Sequence, residues 1–353
     1  MEKIYNSEQK KIIRNYGIDV LRIIAMFFVT IGHLVGWGGI IESAGQMSVE
    51  YEAAQMLKII SLCSINCFGF ISGYVGYGKK LNVKKLFLLW IQVVFWLLVI
   101  TGVMKIFFPI TITREKMIMM FFPIVSQTYW YITAYFIIMF FAPVMNWLIN
   151  KIGKLFIIAY VISLICVSVI LTTSGNNAVW LMICYCGGAL IKKYDKYIDA
   201  MPRIGIGGYM GCIMVTWGGQ FLDKIGYIKF PEIVRHMWCG RCDGVWPSSL
   251  TMYFAAFFLI LWAKQKQYPI NWQNRIKRVA PLQLSVYLIT VHPFIWEYLL
   301  KERFGSFSDK LFLILVGVPL CTVFINTFCM GLEQLRIWLW NRFILLVVNG
   351  GNN

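Results

Sequence analysis

Charged residues are scarce in this chain of 353 residues: Asp, Glu, Lys and Arg make up 14% of it, against about 25% in soluble domains. Hydrophobic residues make up 59%, and the mean hydropathy is +0.67. A water-soluble particle of this size cannot bury so much apolar surface, so the expected solvent is lipid. This composition excludes a soluble enzyme, a DNA-binding domain and a disordered chain.

Acidic residues are rarer still, with 16 Asp and Glu against 33 Lys and Arg, which gives a net charge of +17. In a membrane protein such an excess collects in cytoplasmic loops and fixes the orientation of the chain. With the N-terminus inside, the cytoplasmic segments carry about twice as many Lys and Arg residues as the opposite loops. We therefore expect both termini in the cytoplasm, and no internal repeat or appended soluble domain is visible.

Apolar runs long enough to cross a bilayer recur along the chain, since about 20 such residues are needed for one helical span. They predict an all-α, polytopic membrane protein with about ten transmembrane helices. We expect a cytoplasmic segment over residues 1–17, a transmembrane domain over 18–335 and a cytoplasmic tail over 336–353 that forms an interfacial helix. The predicted spans are Ile18–Val35, Ile59–Tyr77, Leu86–Phe108, Tyr129–Ile149, Leu155–Leu171, Ala178–Ile191, Ile204–Leu222, Ser248–Trp262, Leu282–Leu300 and Leu311–Leu332.

Most of the ten cysteines lie inside predicted spans, where they act as small apolar fillers. Cys239 and Cys242 differ, because they form a Cys-x-x-Cys in an outward loop with His236 three residues upstream. One such pair supplies too few ligands for a structural zinc site. A disulfide or two idle thiols is the favoured interpretation.

The first predicted span carries three ionisable residues, Asp19, Arg22 and His33, in otherwise apolar sequence. Charged groups at membrane depth are costly and indicate function by default. Arg22 and His33 lie about three helical turns and 16–17 Å apart, on the same face, and Asp19 is placed to pair with Arg22. We predict that Arg22 and His33 line one polar cavity. The alternative is a snorkelling arginine and a hydrogen-bonded structural histidine.

The second predicted span also contains polar side chains. Asn66 and Ser72 are able to bond across helices, and the neighbouring glycines allow close backbone approach. A basic run, residues 79–85, follows this span. From its charge alone, this run fits ordinary topology and contact with lipid headgroups.

Two later segments combine aromatic and polar residues. Trp130 and Tyr131 begin the first of them, which ends at Pro143, and their position favours an interfacial aromatic belt. The second segment places another histidine, His292, inside a span, with Glu297 about one turn beyond it.

These four segments, in this order, resemble acyltransferase family 3, the integral-membrane O-acyltransferases of bacterial surface polysaccharides. The family pattern in the first helix is an arginine, ten intervening residues and a histidine, which Arg22 and His33 match. Many members carry a run of arginines soon after a Ser-Gly-Tyr segment, here Ser72-Gly73-Tyr74, where this chain has only lysines. The further landmarks are Ser72-Gly73-Tyr74, Trp130-Tyr131 with Pro143, and Tyr287 with His292-Pro293.

The resemblance implies transfer of an acyl group, expected to be acetyl, from cytosolic acyl-CoA to a hydroxyl of a cell-surface polysaccharide or its lipid-linked precursor. It implies a protein of the bacterial cell membrane that uses no metal and whose partners are the bilayer and the glycan, not nucleic acid. His33, Arg22 and Asp19 are the implied catalytic residues, with His33 as the base. The residues implied to bind acyl-CoA or substrate are Asn66, Ser72, Lys84, Lys85, Trp130, Tyr131 and His292.

The side-chain chemistry fits these roles. Histidine suits a base because its ordinary pKa lies near neutrality, whereas Arg22 stays protonated and suits a phosphate or a developing negative charge. The rival class is a carrier of an amino acid or sugar, because buried Asp, Arg and His in glycine-interrupted helices fit that function too. The lack of a visible inverted repeat counts mildly against a carrier, and a purely structural protein leaves the ionisable residues unexplained.

Overall fold

The computed structural model describes residues 14–170, 177–199, 204–227, 231 and 247–350, and every regular element in these ranges is helical. Short 3-10 or π turns occupy Ala280–Leu282, Trp296–Leu300, Gly305–Phe307 and Leu313–Gly317. The α-helices are α1 Tyr16–Val35, α2 Ile40–Ser43, α3 Val49–Leu62, α4 Ser64–Gly76, α5 Val83–Phe107, α6 Arg114–Phe121, α7 Trp130–Ile170, α8 Ala178–Lys193, α9 Asp195–Asp199, α10 Gly205–Lys224, α11 Leu250–Lys264, α12 Ile270–Val279, α13 Gln283–Thr290, α14 Pro293–Ile295 and α15 Val318–Gly350.

The all-α, multi-pass architecture is confirmed, but the count of about ten spans is not. Five helical segments of the described chain are long and apolar enough to cross a bilayer, and a sixth counts if one bent pair forms a single span. The shortfall has a physical reason in α8 and α11, since 15 or 16 residues extend only about 24 Å, less than the ~30 Å hydrocarbon core. The five segments are Tyr16–Ser43, Val49–Gly76, Val83–Phe107, Trp130–Ser168 and Leu313–Arg342.

The short helix α8 lies inside the bundle, where it packs closely against α4. A Cβ at Gly73 would collide with the carbonyl oxygen of Tyr185, and a Cβ at Gly188 would collide with that of Phe70. Small residues at such crossings let backbones approach, which is how helices associate in lipid. The glycines of α4 therefore serve close packing, as the sequence predicted.

Two predicted spans, Tyr129–Ile149 and Leu155–Leu171, fall within the long helix α7. Gly153 breaks this helix with φ 46° and ψ −107°, a backbone conformation that residues with a Cβ rarely adopt. The break lies between the two predicted ranges. The last helix shows no such division, because α15 continues to Gly350, across the boundary predicted at residue 335.

Several helices meet at one end of the bundle, which we call the basal end. There the Asn15 side-chain amide donates to the carbonyl of Lys264 (2.9 Å), and the Tyr74 hydroxyl donates to Asp195 (3.4 Å). The start of α1 and the ends of α4, α8 and α11 therefore lie together. The lysine-rich segment that follows α4 begins at this end.

The opposite end, which we call the distal end, is where Leu34, Val35 and Ile40 pack against Val318 at the start of α15. Further along α15, Glu333 accepts hydrogen bonds from Gln92 and Trp96 of α5. The helix therefore runs from the distal end back toward the basal end. Both ends of the described chain lie on the same side of the bundle.

Candidate functional site

A cavity of about 1210 Å³ lies between the helices, walled by parts of α1, α3, α4, α5 and α7 and by residues 280–287. At the basal end its wall includes Arg22 and lysines of the loop after α4, and toward the distal end it includes His33 and Trp37. Its size is sufficient for a large ligand, since pockets for small molecules usually measure about 300–1,000 Å³.

One face of α1 forms a continuous strip of this wall. Arg22, Met26, Val29, His33 and Trp37 all line the cavity. The first four are three or four residues apart, which matches the helical repeat, and they cover about 16 Å of the axis, whereas Trp37 lies in the turn beyond Val35, where α1 ends. The structure thus brings Arg22 and His33 to one cavity, with neither side chain directed only at lipid.

Arg22 is held by a carboxylate that two arginines share. Its guanidinium lies 3.0 Å from Oδ1 of Asp19, and Nε of Arg14 lies 2.5 Å from Oδ2. Asp19 is buried, whereas the Arg22 side chain is 31% exposed. Because one carboxylate faces two cations, a net positive charge remains beside the cavity. Asn15 fixes the start of the helix by accepting hydrogen bonds from the Gly17 and Ile18 amides.

His33 has a ring nitrogen without a partner. Its Nδ1 is buried and forms no hydrogen bond within the described residues. The imidazole instead stacks on the indole of Trp37, with ring centroids 4.2 Å apart and planes inclined by 10°. Buried polar atoms are nearly always hydrogen-bonded, so the unpaired Nδ1 is an exception that packing alone does not explain.

The basic loop contributes selectively to the cavity. Lys79, Lys80 and Lys85 line it, but Lys84, which was predicted to bind acyl-CoA, does not. Burial lowers the pKa of Lys79, and the nearby charges of Lys85 and Lys192 lower it further. Such repulsion between like charges shows a concentration of positive potential, which an anionic ligand would relieve.

Three other predicted residues, Ser72, Trp130 and Tyr131, also line the cavity. The Ser72 hydroxyl donates to the carbonyl of Phe68 in its own helix (2.8 Å), and it also forms a side-chain hydrogen bond with Tyr131 of α7. Tyr131 packs edge-on against both Phe68 and Trp130. The aromatic pair therefore belongs to the cavity wall as well as to the start of α7.

Asn66 was predicted to bind substrate, but the structure does not place it on the cavity wall. It is fully buried, its amide donates to the carbonyl of Pro247 (2.7 Å), and its oxygen accepts from the indole of Trp180 (2.8 Å). All these contacts join α4 to other parts of the protein. Asn66 therefore acts as a structural bond between elements.

His292 likewise does not line the cavity, and it lies at a break between helices rather than inside a span. Its Nδ1 accepts from the amide of Phe294 (3.2 Å) and caps the next helix, so its proton lies on Nε2, which faces Thr101 (3.3 Å). The axis bends by 62° there, because Pro293 cannot continue the preceding hydrogen-bond ladder.

Other aromatic residues on the wall were not predicted as site residues. Trp37, Tyr135, Tyr185 and Tyr287 all line the cavity. Two of them had a signal in the sequence, since Tyr135 lies four residues after Tyr131 and Tyr287 belongs to a segment that matches the family pattern. Trp37 lies in the turn beyond the end of α1.

Within the described residues, no group of three or more His, Cys, Asp and Glu side chains is placed to hold a metal ion. The cysteines in these ranges are free thiols, and most of them are buried, as expected of apolar fillers. His236, Cys239 and Cys242 lie outside the described residues.

Comparison with known proteins points to one family. Neither the curated proteins nor the solved structures contain a match to the chain. Residues 15–332, nearly the whole chain, match the sequence profile of a family described as an acyltransferase domain. This range includes every residue that we place on the cavity wall. The chain therefore belongs to acyltransferase family 3.

Proposed function

We propose that this acyltransferase is a membrane-bound O-acyltransferase of the bacterial cell membrane. It transfers an acyl group, with acetyl as the expected one, from cytosolic acyl-CoA to a hydroxyl of a cell-surface polysaccharide or its lipid-linked precursor. The observation that carries the proposal is the cavity wall shared by Arg22 and His33. About ten helices, including the short interior ones, would form the bundle, with both termini in the cytoplasm.

The basal end of the cavity suits the phosphates of acyl-CoA. Arg22, Lys79, Lys80 and Lys85 line it there, and Asp19 neutralises only part of the charge of its two arginines. Arginine offers a planar fork to a phosphate, whereas lysines act as point charges. This concentration of positive charge also agrees with a cytoplasmic basal end, where the donor is available.

The separation along α1 gives Arg22 and His33 different tasks. Their Cα atoms lie about 16 Å apart along the axis, and helical side chains lean toward the N-terminus, so Arg22 points away from His33. The two side chains are therefore too far apart to act on one atom. Only an elongated donor reaches both, with its phosphates at Arg22 and its thioester near His33.

His33 supplies the base in this proposal. It takes the proton from the acceptor hydroxyl as the hydroxyl oxygen bonds to the thioester carbonyl carbon. When the carbon–sulfur bond breaks, coenzyme A leaves as a thiol after its sulfur receives the proton from the imidazolium. Histidine is suited to both transfers because its ordinary pKa lies near neutrality.

Purified protein in lipid vesicles tests this proposal. We expect time-dependent loss of the acetyl-CoA thioester, with release of free coenzyme A detected by a thiol reagent. Arg22→Ala should raise the KM for acetyl-CoA, whereas His33→Gln should lower kcat. Flux of a sugar or amino acid across the vesicle membrane without loss of thioester would identify a carrier instead and would overturn the proposal.

A further inference from the structure

His33 lacks the third group that normally orients a catalytic base. In enzymes that use histidine as a base, a carboxylate or carbonyl usually accepts a hydrogen bond from the second ring nitrogen. Within the described residues, Nδ1 of His33 has no hydrogen-bond partner, and no carboxylate forms an ion pair with the ring. Another contact must therefore hold the imidazole in place.

The indole of Trp37 provides that contact. It lies four residues after His33, and the two rings are nearly parallel with centroids 4.2 Å apart. This geometry covers one face of the imidazole and leaves the ring edge, which carries the nitrogens, outside the stacked contact. Rotation about the side-chain bonds of His33 would separate the two rings and lose the contact.

Trp37 is itself held by contacts with the segment after His292. Its backbone carbonyl accepts a hydrogen bond from the amide of Glu302 (2.9 Å), and Trp296 packs edge-on against its indole at 5.9 Å. The neighbouring carbonyl of Gly38 accepts from the amide of Phe304 (2.9 Å). The segment that follows the 62° bend at His292 thus holds Trp37 in place beside the imidazole.

We propose that Trp37 is the positioning residue for His33, which holds the imidazole edge toward the cavity and stabilises the imidazolium formed during acyl transfer. This inference rests on the proposed function. The face of an indole is electron-rich and attracts a cation stacked on it. Trp37 would thereby replace the carboxylate that orients the base in a triad.

Kinetics of two variants test the role. Trp37→Leu should lower kcat for acetyl-CoA turnover by about 10- to 100-fold, since small misplacements of a catalytic group cost up to about that much, and should leave KM unchanged. Trp37→Phe, which keeps an aromatic face, should retain activity within a few fold. Trp338→Leu, at a tryptophan of α15 that is 54% exposed and does not line the cavity, is the matched control. Equal kcat for Trp37→Leu and the wild type would overturn the proposal.

A second measurement detects the stacking of His33 on Trp37 independently of enzymatic activity. The chain has only three histidines, so isotope-labelled histidine gives an NMR spectrum in which His33→Gln identifies the His33 signals. The indole ring current should shift these signals upfield in the wild type and in Trp37→Phe, but not in Trp37→Leu, while His292 stays unchanged. Unshifted His33 signals in the wild type would refute the stack. Shifted signals in a protein that cleaves no thioester would preserve the stack but refute both the catalytic role and the proposed function.

Discussion

Replacing Asn66 with leucine should destabilise the protein without weakening donor binding. The change keeps the approximate volume but removes the amide that bonds to Pro247 and Trp180, in a side chain that is 0% exposed. Each such bond between membrane helices is worth about 0.6–1.7 kcal/mol. Losing both should cost about 1–3 kcal/mol of unfolding free energy, because the carbonyl and the indole N–H are left unpaired.

Thermal unfolding of the purified protein in detergent measures this effect. We expect the midpoint of Asn66→Leu to fall by several degrees, with the KM for acetyl-CoA unchanged in the fraction that remains folded. Ser163→Ala is the control, since the exposed Ser163 hydroxyl donates to the carbonyl of Ala159 in its own helix and does not line the cavity. An unchanged midpoint together with a raised KM would show that Asn66 binds the donor and would refute this reasoning.

Three further changes test the charged groups. Arg22→Lys should raise the KM for acetyl-CoA at least about 10-fold, because charge-assisted hydrogen bonds of the guanidinium contribute about 1.5–3 kcal/mol; an unchanged KM would remove Arg22 from donor binding. Lys85→Gln should raise the KM for acetyl-CoA about 2- to 5-fold in a steady-state assay. Lys84→Gln should leave this KM unchanged, because Lys84 does not line the cavity. Equal effects of the two changes would argue against the cavity as the donor site. Burial alone would raise the pKa of Asp195, but ion pairs with Lys264 and Lys192 outweigh it and hold the pKa below its usual value. Since the folded state favours the ionised form, this contribution to stability is present at neutral pH and is lost as the pH falls below about 4. In Asp195→Asn, the unfolding midpoint should therefore fall less steeply as the pH is lowered than it does in the wild type. An unaltered dependence on pH would show that the ion pairs of Asp195 do not contribute to stability.

Periodicity within one helix was the most reliable guide to the site. Arg22 and His33 share a face because eleven residues are close to three helical turns, and that relation needs no knowledge of other helices. The same rule does not reach Trp37, which lies in the turn beyond Val35. The break of α7 at Gly153 also lies where the sequence divided two spans.

Contacts between distant parts of the chain could not be predicted. The partners of Asn66 are Trp180 and Pro247, which lie 114 and 181 residues away in the sequence. Lys84 and Lys85 are neighbours of the same chemistry in α5, and the face that this helix turns toward the cavity decides which one lines it. The predicted spans Ala178–Ile191 and Ser248–Trp262 were already shorter than the about 20 residues that a crossing needs, but the sequence does not show that α8 lies inside the bundle.

The central claim is that His33 acts as the base in acyl transfer, and one comparison tests it most directly. The rate of acetyl-CoA thioester loss is measured for wild-type protein and for His33→Gln, which keeps a polar side chain, at equal amounts of folded protein in the same vesicles. We predict a loss of about 10²–10⁴-fold in kcat, the usual effect of removing a general base, with the KM for acetyl-CoA nearly unchanged. A His33→Gln protein that retains near-normal kcat would contradict this account of the cavity.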